Sequence, residues 1–347
     1  MHMADALISP AVGATMWAAS GAVTAYSARR INRQMDDRKI PLMGILGAFV
    51  FSAQMINFAI PLTGSSGHLG GGMLLAILLG PHAAFLTIAS VLTIQALFFA
   101  DGGLLALGCN VFNLGFFPCF VAYPLIYRPL AGRRPTPGRL LLGATVASVA
   151  GLQLGALAVV IETVSSGISE LPFKTFALLM LPIHLAIGIV EGIVTAAVVG
   201  YVWKIRPEIV EAAGASRRVG PLPMARLLAS LAVAAALTAG VLSWFASSSP
   251  DGLEWAMIRA SGREELSGPG QGIHARLERL QQRTAFLPDY DFPKPAAEEF
   301  AADSEGAAPV VQVGTSVAGL VGAALTLALA LAIGLALRAM RPRALAG

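Results

Sequence analysis

Charged residues are scarce in this sequence, and so are the residue types that carry most catalytic chemistry. Of its 347 residues 13% are charged, two are cysteine and five are histidine. Hydrophobic residues make up 56% of the chain, and its mean hydropathy of +0.70 lies well above the range of soluble globular proteins. These values exclude a soluble globular fold, so we expect an all-α, polytopic membrane protein.

Several catalytic and energy-coupling motifs are also missing from the sequence. It contains neither the HExxH motif of zinc hydrolases nor the GxSxG motif of serine hydrolases. No GxxxxGK[ST] phosphate-binding loop is present, so we expect a transporter subunit without its own ATPase and not an enzyme. A self-sufficient ion-coupled carrier for a small solute is the alternative, although such carriers usually show internal repeats or paired broken helices.

Long apolar runs predict the membrane spans. Eight runs lie at about 8–28, 41–61, 69–100, 104–127, 140–167, 174–203, 225–247 and 313–337, and most match the roughly 20 residues that cross a bilayer. The third run is interrupted by Gly80-Pro81, so it could cross the membrane once or twice.

Basic residues decide between these topologies. If the run 69–100 crosses twice, 17 of the 18 basic residues outside the acidic segment 248–312 fall on the cytoplasmic side. This predicts about nine spans in the plasma (inner) membrane of a bacterium, with the N-terminus outside and the C-terminus inside. The first half of the run then forms a short helix, which must pack against protein. Because the basic residues flank the membrane, we expect no nucleic-acid partner.

Two histidines are predicted to lie on the outer side, His2 at the N-terminus and His68 in a Gly-rich loop. No cleavable signal peptide is visible, so we expect the chain to begin at Met1. A free terminal amine, the amide nitrogen of residue 2 and its imidazole can form two fused chelate rings. A further imidazole would complete a square plane, which suits Ni(II), Cu(II) and low-spin Co(II). However, a histidine at position 2 is usually a chance residue on an exposed terminus, and a histidine in a Gly-rich loop is more often solvent-facing than a ligand.

Several motifs resemble the M component of nickel and cobalt energy-coupling-factor importers. They are the opening Met-His with Ser-Pro at 9–10, the run FSAQMINFAIP at 51–61 leading to GHLGG at 67–71, and GCNVFNLG at 108–115. The motif PDGLEWA at 250–256 resembles the N component of the same systems. The resemblance implies an M-type domain at 1–205, a cytoplasmic linker at 206–224 and a fused N-type module at 225–347 with an extracytoplasmic loop at 248–311.

This resemblance also implies a function. The family's M components capture the substrate and work with a transmembrane coupling component (T or Q) and a cytoplasmic ATPase (A or O). Their metal ligands correspond here to Met1, His2 and His68, with Ni(II) or Co(II) as the transported substrate. The fusion of M and N favours nickel slightly. We expect residues 225–347 to assist metal loading or release without holding the ion.

Polar residues in the predicted spans have two possible roles. The amides of Gln54 and Asn57 share a predicted helix face, as do those of Asn110 and Asn113. Such groups can bridge neighbouring helices or support the metal loop.

Ionisable and small residues leave similar alternatives. His184 and Glu191, seven positions apart, could act in transport or could satisfy different helices. We place His82 on the cytoplasmic side, away from the metal, and His274 on the surface of the outer loop. Small residues recur every fourth position in the first span and resemble the family's docking face for the coupling component: Ala14, Ala18 and Ala22.

Overall fold

The chain is almost wholly helical in the computed structural model, which describes residues 2–34, 37, 39–132, 135–214, 224–263, 266, 268–293 and 312–340. Its helices are α1 (Pro10–Gln34), α2 (Lys39–Gln54), α3 (Gly72–Leu79), α4 (Pro81–Phe98), α5 (Leu107–Ala131), α6 (Pro137–Ser166), α7 (Phe173–Ile205), α8 (Pro207–Gly214), α9 (Ala225–Gly240), α10 (Gly252–Ser261), α11 (Gly272–Thr284) and α12 (Val313–Ala339). Within these residues, α4, α5, α6, α7 and α12 are long and apolar enough to cross a bilayer. The predicted all-α, multi-pass membrane fold is confirmed.

The interrupted apolar run folds as two helices, as predicted. Gly80, with a φ of 82°, joins α3 to α4, and Pro81 occupies the first turn of α4. All eight residues of α3 are buried, so the expectation that this short helix packs inside protein is confirmed. Gly72 permits this packing, because a Cβ there would lie 2.4 Å from the carbonyl oxygen of Leu114 in α5.

Helix α5 departs from the regular α-helix that its apolar sequence predicts. Residues Phe112–Tyr127 wind as a π-helix that contains Pro118 and Pro124. Each proline lacks an N–H and clashes with the preceding turn of an α-helix. The wider π turn lets the span remain one continuous helix through both prolines.

The C-terminal helices pack against the first part of the chain. Both α9 and α12 lie along α2, and α10 packs against α7. The predicted linker begins with α8, and its residues 215–223 lie outside the described residues. The predicted outer loop contains α10 and α11, and its residues 294–311 likewise lie outside the described part of the chain. The amphipathic stretch at 273–280 lies within α11.

A small hairpin precedes α3 and was not predicted. Strand β1 (Phe58–Ile60) pairs antiparallel with β2 (Ser65–Gly67), with Ala59 opposite Ser66. The hairpin leads directly to His68 and then to the left-handed Gly71, with a φ of 77°, which begins α3. It therefore fixes the direction from which His68 approaches the helix bundle.

Candidate metal site

The N-terminal segment is buried in the protein. Met3, Leu7 and Ile8 are at most 1% exposed. The backbone N–H of Met3 donates to Asn110 Oδ1 at 2.8 Å, and Asn110 Nδ2 donates to the Met3 carbonyl at 3.2 Å. The exposed terminus considered from the sequence is therefore wrong for Met3, Leu7 and Ile8, whose side chains lie in the core, whereas Ala4 is exposed.

A carboxylate orients His2. Nδ1 of His2 donates to Asp101 Oδ1 at 2.7 Å, and the hydroxyl of Tyr290 donates to Asp101 Oδ2. Although burial opposes ionisation, the interactions with His2 and Tyr290 hold the pKa of Asp101 at about 2. Nε2 of His2 is buried and has no hydrogen-bond partner among the described residues.

His68 lies directly against His2. The two imidazoles stack with ring centroids 5.0 Å apart and an interplanar angle of 25°. Burial lowers the pKa of His68 to about 3, so its imidazole is neutral at pH 7. The structure thus brings together two of the three predicted metal-site residues, whereas Met1 lies outside the described residues.

Three buried side chains hold the loop that follows His68. Gln54 Nε2 donates to the Gly70 carbonyl at 2.9 Å, and Gly70 N–H donates to Glu191 Oε2 at 2.7 Å. Gln95 Nε2 in turn donates to Gln54 Oε1 at 2.9 Å. Gln54 therefore combines both alternatives, since it supports the loop and also bridges α2 to α4. The predicted helix face shared with Asn57 is wrong, because α2 ends at Gln54.

The two amides of the other predicted pair, Asn110 and Asn113, bind different parts of the protein. Asn110 holds the backbone of Met3, whereas Asn113 Nδ2 donates to Glu162 Oε2 at 2.7 Å. Asn113 thus joins α5 to α6, in the manner of the helix-bridging alternative.

The motif at 250–254 docks on the hairpin. Asp251 caps α10, because its Oδ1 accepts two backbone N–H bonds of the first turn at 2.8 and 2.9 Å. The Pro250 carbonyl accepts from Ser66 N–H at 2.8 Å. Asp251 Oδ2 lies 3.8 Å from His68 Nε2. Since His68 is neutral at pH 7, this approach is not a salt bridge.

Helix α11 covers the N-terminal segment. His274 Nε2 lies 2.9 Å from the Ile8 carbonyl, and His274 is 6% exposed. The predicted surface position of His274 is therefore wrong. Its signal was present in the sequence, since His274, Leu277 and Gln281 recur at i, i+3 and i+7 and form one helix face. Gln281 Nε2 on that face donates to the Gly102 carbonyl at 2.7 Å.

His184 and Glu191 both turn towards the His68 loop. Glu191 binds Gly70, and His184 lines a small cavity together with His68, Asp251 and Gly252. They therefore serve the same region of the bundle.

His82 lies elsewhere. Its ring packs against Tyr26 and Phe120, and its Nδ1 lies 3.4 Å from Ser27 Oγ. None of these contacts involves His2, His68 or the hairpin, in line with the expectation that His82 lies away from the metal.

Side chains alone do not form a metal cage in the described part of the chain. There, no three His, Cys, Asp or Glu side chains converge closely enough to hold an ion. A metal site at His2 and His68 would therefore need further donors from the terminus or the backbone. This is the donor set that the sequence suggests.

Comparisons with known proteins place the chain in a family. Residues 2–209 match the model described as cobalt uptake substrate-specific transmembrane region, and residues 225–339 match the PDGLE domain. The chain is 31% identical over 317 residues to the fused nickel transport protein NikMN of Rhodobacter capsulatus, covering 84% of this chain and 88% of that protein.

Two further matches agree. A putative fused nickel transport protein NikMN of Archaeoglobus fulgidus is 37% identical over 233 residues, covering 67% of this chain and 75% of the relative. A crystal structure of a truncated transition metal transporter shares 34% identity at a TM-score of 0.53, covering 59% of this chain and 99% of that one. The resemblance to a fused nickel transport protein is confirmed, and the chain belongs to the cobalt uptake substrate-specific transmembrane family, with a PDGLE domain fused behind that region.

Proposed function

We propose that this protein is the substrate-binding subunit of an ATP-dependent energy-coupling-factor importer and captures Ni(II) or Co(II) on the extracytoplasmic side. The proposed ligands are the Met1 amine, the amide nitrogen and imidazole of His2, and the imidazole of His68. The observation that carries the proposal is the stacking of His2 on His68 at 5.0 Å. Donors at adjacent corners of a square plane with bonds of about 2 Å lie about 3 Å apart, so binding would require the two rings to turn from their stacked arrangement.

Chelate geometry specifies which nitrogen of His2 must bind. The amine and the amide nitrogen close a five-membered ring with the metal, and Nδ1 closes a six-membered ring with the amide nitrogen. Nδ1 is the atom that donates to Asp101. Binding through Nδ1 would break the bond to Asp101 and leave the imidazole proton on Nε2. The protons released on binding would come from the Met1 ammonium group and the His2 amide.

The proposed metal preference is nickel before cobalt. A plane of nitrogen donors favours Ni(II) over Co(II) in the general order of affinities. The relatives from R. capsulatus and A. fulgidus are named as nickel transport proteins. Competition between the two ions for the purified protein tests this preference.

The proposed partners are a coupling component (T or Q) and a cytoplasmic ATPase (A or O). Ala14, Ala18 and Ala22 are exposed along one side of α1, which supports this helix as the docking face for the coupling component. In this arrangement the present chain selects the ion and its partners supply the energy. We place the M-type domain at 1–205, the cytoplasmic linker at 206–224 and the N-type module at 225–347.

The decisive test alters the register of the N-terminus. Three C-terminally tagged proteins are compared: the wild type, a form with one residue added before Met1, and His2→Ala. The added residue converts the Met1 amine into an amide and moves the free amine away from the chelate. We expect stoichiometric metal in the wild type and almost none in the other two, measured by mass spectrometry of the purified proteins.

Two controls support this test. N-terminal mass spectrometry shows whether the wild-type chain begins with an unblocked Met1. Thermal unfolding shows whether the added residue disturbs the buried segment, since Met3 is fully buried. Equal metal content in the extended and wild-type proteins would refute the N-terminal chelate.

A further inference from the structure

His184 lines the small cavity beside His68 and carries a buried imidazole nitrogen that is unpartnered within the described part of the chain. Nδ1 of His184 donates to the Met180 carbonyl at 2.7 Å, so Nε2 carries the lone pair. His184 is 1% exposed, and its Nε2 has no hydrogen-bond partner among the described residues. An imidazole whose other N–H is held by a carbonyl is the usual form of a metal ligand.

A carboxylate lines the same cavity as His184. Asp251, His68, His184 and Gly252 line the same small cavity. A Cβ on Gly252 would lie 3.2 Å from His184 Cε1, so the start of α10 sits directly against the imidazole. Asp251 Oδ2 lies 3.8 Å from His68 Nε2, which places the carboxylate beside one proposed ligand of the capture site.

We propose that His184 Nε2 and the Asp251 carboxylate form a second, transient binding position for the transported divalent metal ion, reached from the His2 and His68 site. This inference rests on the proposed function. The ion would pass from the nitrogen plane into the cavity while remaining close to His68. There it would be held by one imidazole, one carboxylate and water.

The composition of this position suits a transit site. A dication that enters a cavity lined in part by Leu114 and Ile187 needs a compensating negative charge, which Asp251 supplies. No third His, Cys, Asp or Glu side chain of the described residues completes a cage. Binding should therefore be weak enough for release, as conduction through successive sites requires.

The proposal changes the expected role of the outer module, which is the N-type module at 225–347. The sequence predicts that this module assists loading or release without holding the ion. Here Asp251 contributes a ligand, and its position is fixed by the cap of α10 and by the bond from Ser66 N–H to the Pro250 carbonyl. The module would then take part in moving the ion from the capture site.

The first experiment isolates the second position by removing the capture site. Full-length His2→Ala protein is titrated with Co(II), with bound metal measured by equilibrium dialysis and the spin state by electron paramagnetic resonance. We expect about one weakly bound, high-spin Co(II), because an imidazole, a carboxylate and water do not impose a square plane.

Variants then assign this ion to its ligands. His184→Asn keeps a donor for the Met180 carbonyl and removes Nε2, and Asp251→Asn keeps an oxygen to cap α10. In the His2→Ala protein, either change should weaken Co(II) binding by at least about tenfold. Losing a residue that only orients a metal ligand already costs about that much, so losing a ligand should cost no less. His82→Asn in the same background is the matched control and should bind Co(II) like His2→Ala alone.

A second experiment separates this proposal from the capture site. With His2 intact, His184→Asn should keep stoichiometric tight metal, while uptake falls at least about tenfold in cells that also make the partner proteins. Failure of the proposed function would appear as retained tight metal after the N-terminal extension. The second position is overturned if His2→Ala binds no Co(II), if His184→Asn leaves that binding or uptake unchanged, or if it abolishes the tight metal.

Discussion

The two segments that carry the candidate metal-binding histidines are held in different ways. Residues 2–8 are fixed mainly by burial of Met3, Leu7 and Ile8, with Asn110 satisfying the enclosed backbone. The second strand and the loop after it, residues 65–71, consist largely of Gly and Ser and offer little apolar surface. Polar bonds from Gln54 and Glu191 and the backbone of the outer module hold this loop instead. Disturbing the first segment should therefore affect both folding and metal binding, whereas disturbing the second should affect mainly binding.

The largest effect is expected for Asn110→Ala. The substitution leaves the buried N–H of Met3 without an acceptor, at about 1–3 kcal/mol. It also removes one of the two bonds to the Met3 carbonyl, at about 0.5–1.5 kcal/mol, since Gly103 N–H still donates there at 2.9 Å. We expect a lower melting temperature and a loss of metal affinity of about thirtyfold or more, since about 1.4 kcal/mol corresponds to tenfold. Calorimetric titration with Ni(II) and thermal unfolding measure the two effects.

Asn113→Ala is the matched control for this substitution. Asn113 lies one turn further along α5 and binds Glu162 instead of the N-terminal segment. It should lower the melting temperature while leaving Ni(II) affinity close to that of the wild type. If both variants lost affinity equally, general disturbance of α5 would replace the anchoring of Met3 as the explanation.

A smaller effect on affinity is expected for Glu191→Ala. Gly70 N–H loses its buried acceptor, at about 1–3 kcal/mol, so the loop that carries His68 becomes less well fixed. We expect Ni(II) affinity to fall about tenfold. Glu191→Gln retains an acceptor oxygen and should fall less. Glu162→Gln, at a buried carboxylate that binds Asn113, should leave affinity unchanged, and a similar loss there would argue against a specific role for Glu191.

The dependence of stability on pH tests the burial of His68. Its pKa is lowered from 6.5 to about 3 in the folded protein. Between these values the unfolded chain binds a proton that the folded chain does not, so stability falls as the pH falls, with a limiting slope of about 1.4 kcal/mol per pH unit. Without added metal, the melting temperature of the wild type should drop more between pH 7 and 5 than that of His68→Gln. Parallel curves would show that His68 is not buried in this way.

Topology predicted that His2 and His68 lie on the same side of the membrane, and the family resemblance implied that they meet. An even number of crossings separates the N-terminus from the loop, and basic residues supply the orientation. The short buried helix α3 could be predicted because Gly80-Pro81 interrupts the apolar run. The first half of the run is then too short to cross the bilayer against lipid and must pack against protein. The role of His2 and His68 in metal binding stays a proposal, because neighbouring imidazoles alone do not define a ligand set.

The supporting residues could not be found in this way. Asp101 and Tyr290 are 189 positions apart and meet because the outer module folds back over the bundle, and no local pattern encodes such a pairing. The error at Asn57 arose because the apolar run continues beyond the end of α2, where the hairpin begins. Periodicity describes a helix face well, but it gives the end of a helix poorly.

The smallest effect is expected for Tyr290→Phe. This substitution measures how much the outer module contributes to positioning the N-terminal segment, which is the better anchored of the two. The substitution removes the hydroxyl that donates to Asp101 Oδ2 and leaves the bond from His2 Nδ1 to Oδ1 in place. The ring still stacks on Phe99 with centroids 5.0 Å apart, so packing is retained. A single hydrogen bond of about 0.5–1.5 kcal/mol corresponds to a loss of Ni(II) affinity of about two- to tenfold. Tyr26→Phe in α1, where the hydroxyl accepts from the exposed Arg30, is the matched control and should not change affinity. A loss for Tyr290→Phe as large as that for Asn110→Ala would mean that the outer module, and not the burial of residues 3, 7 and 8, chiefly positions His2.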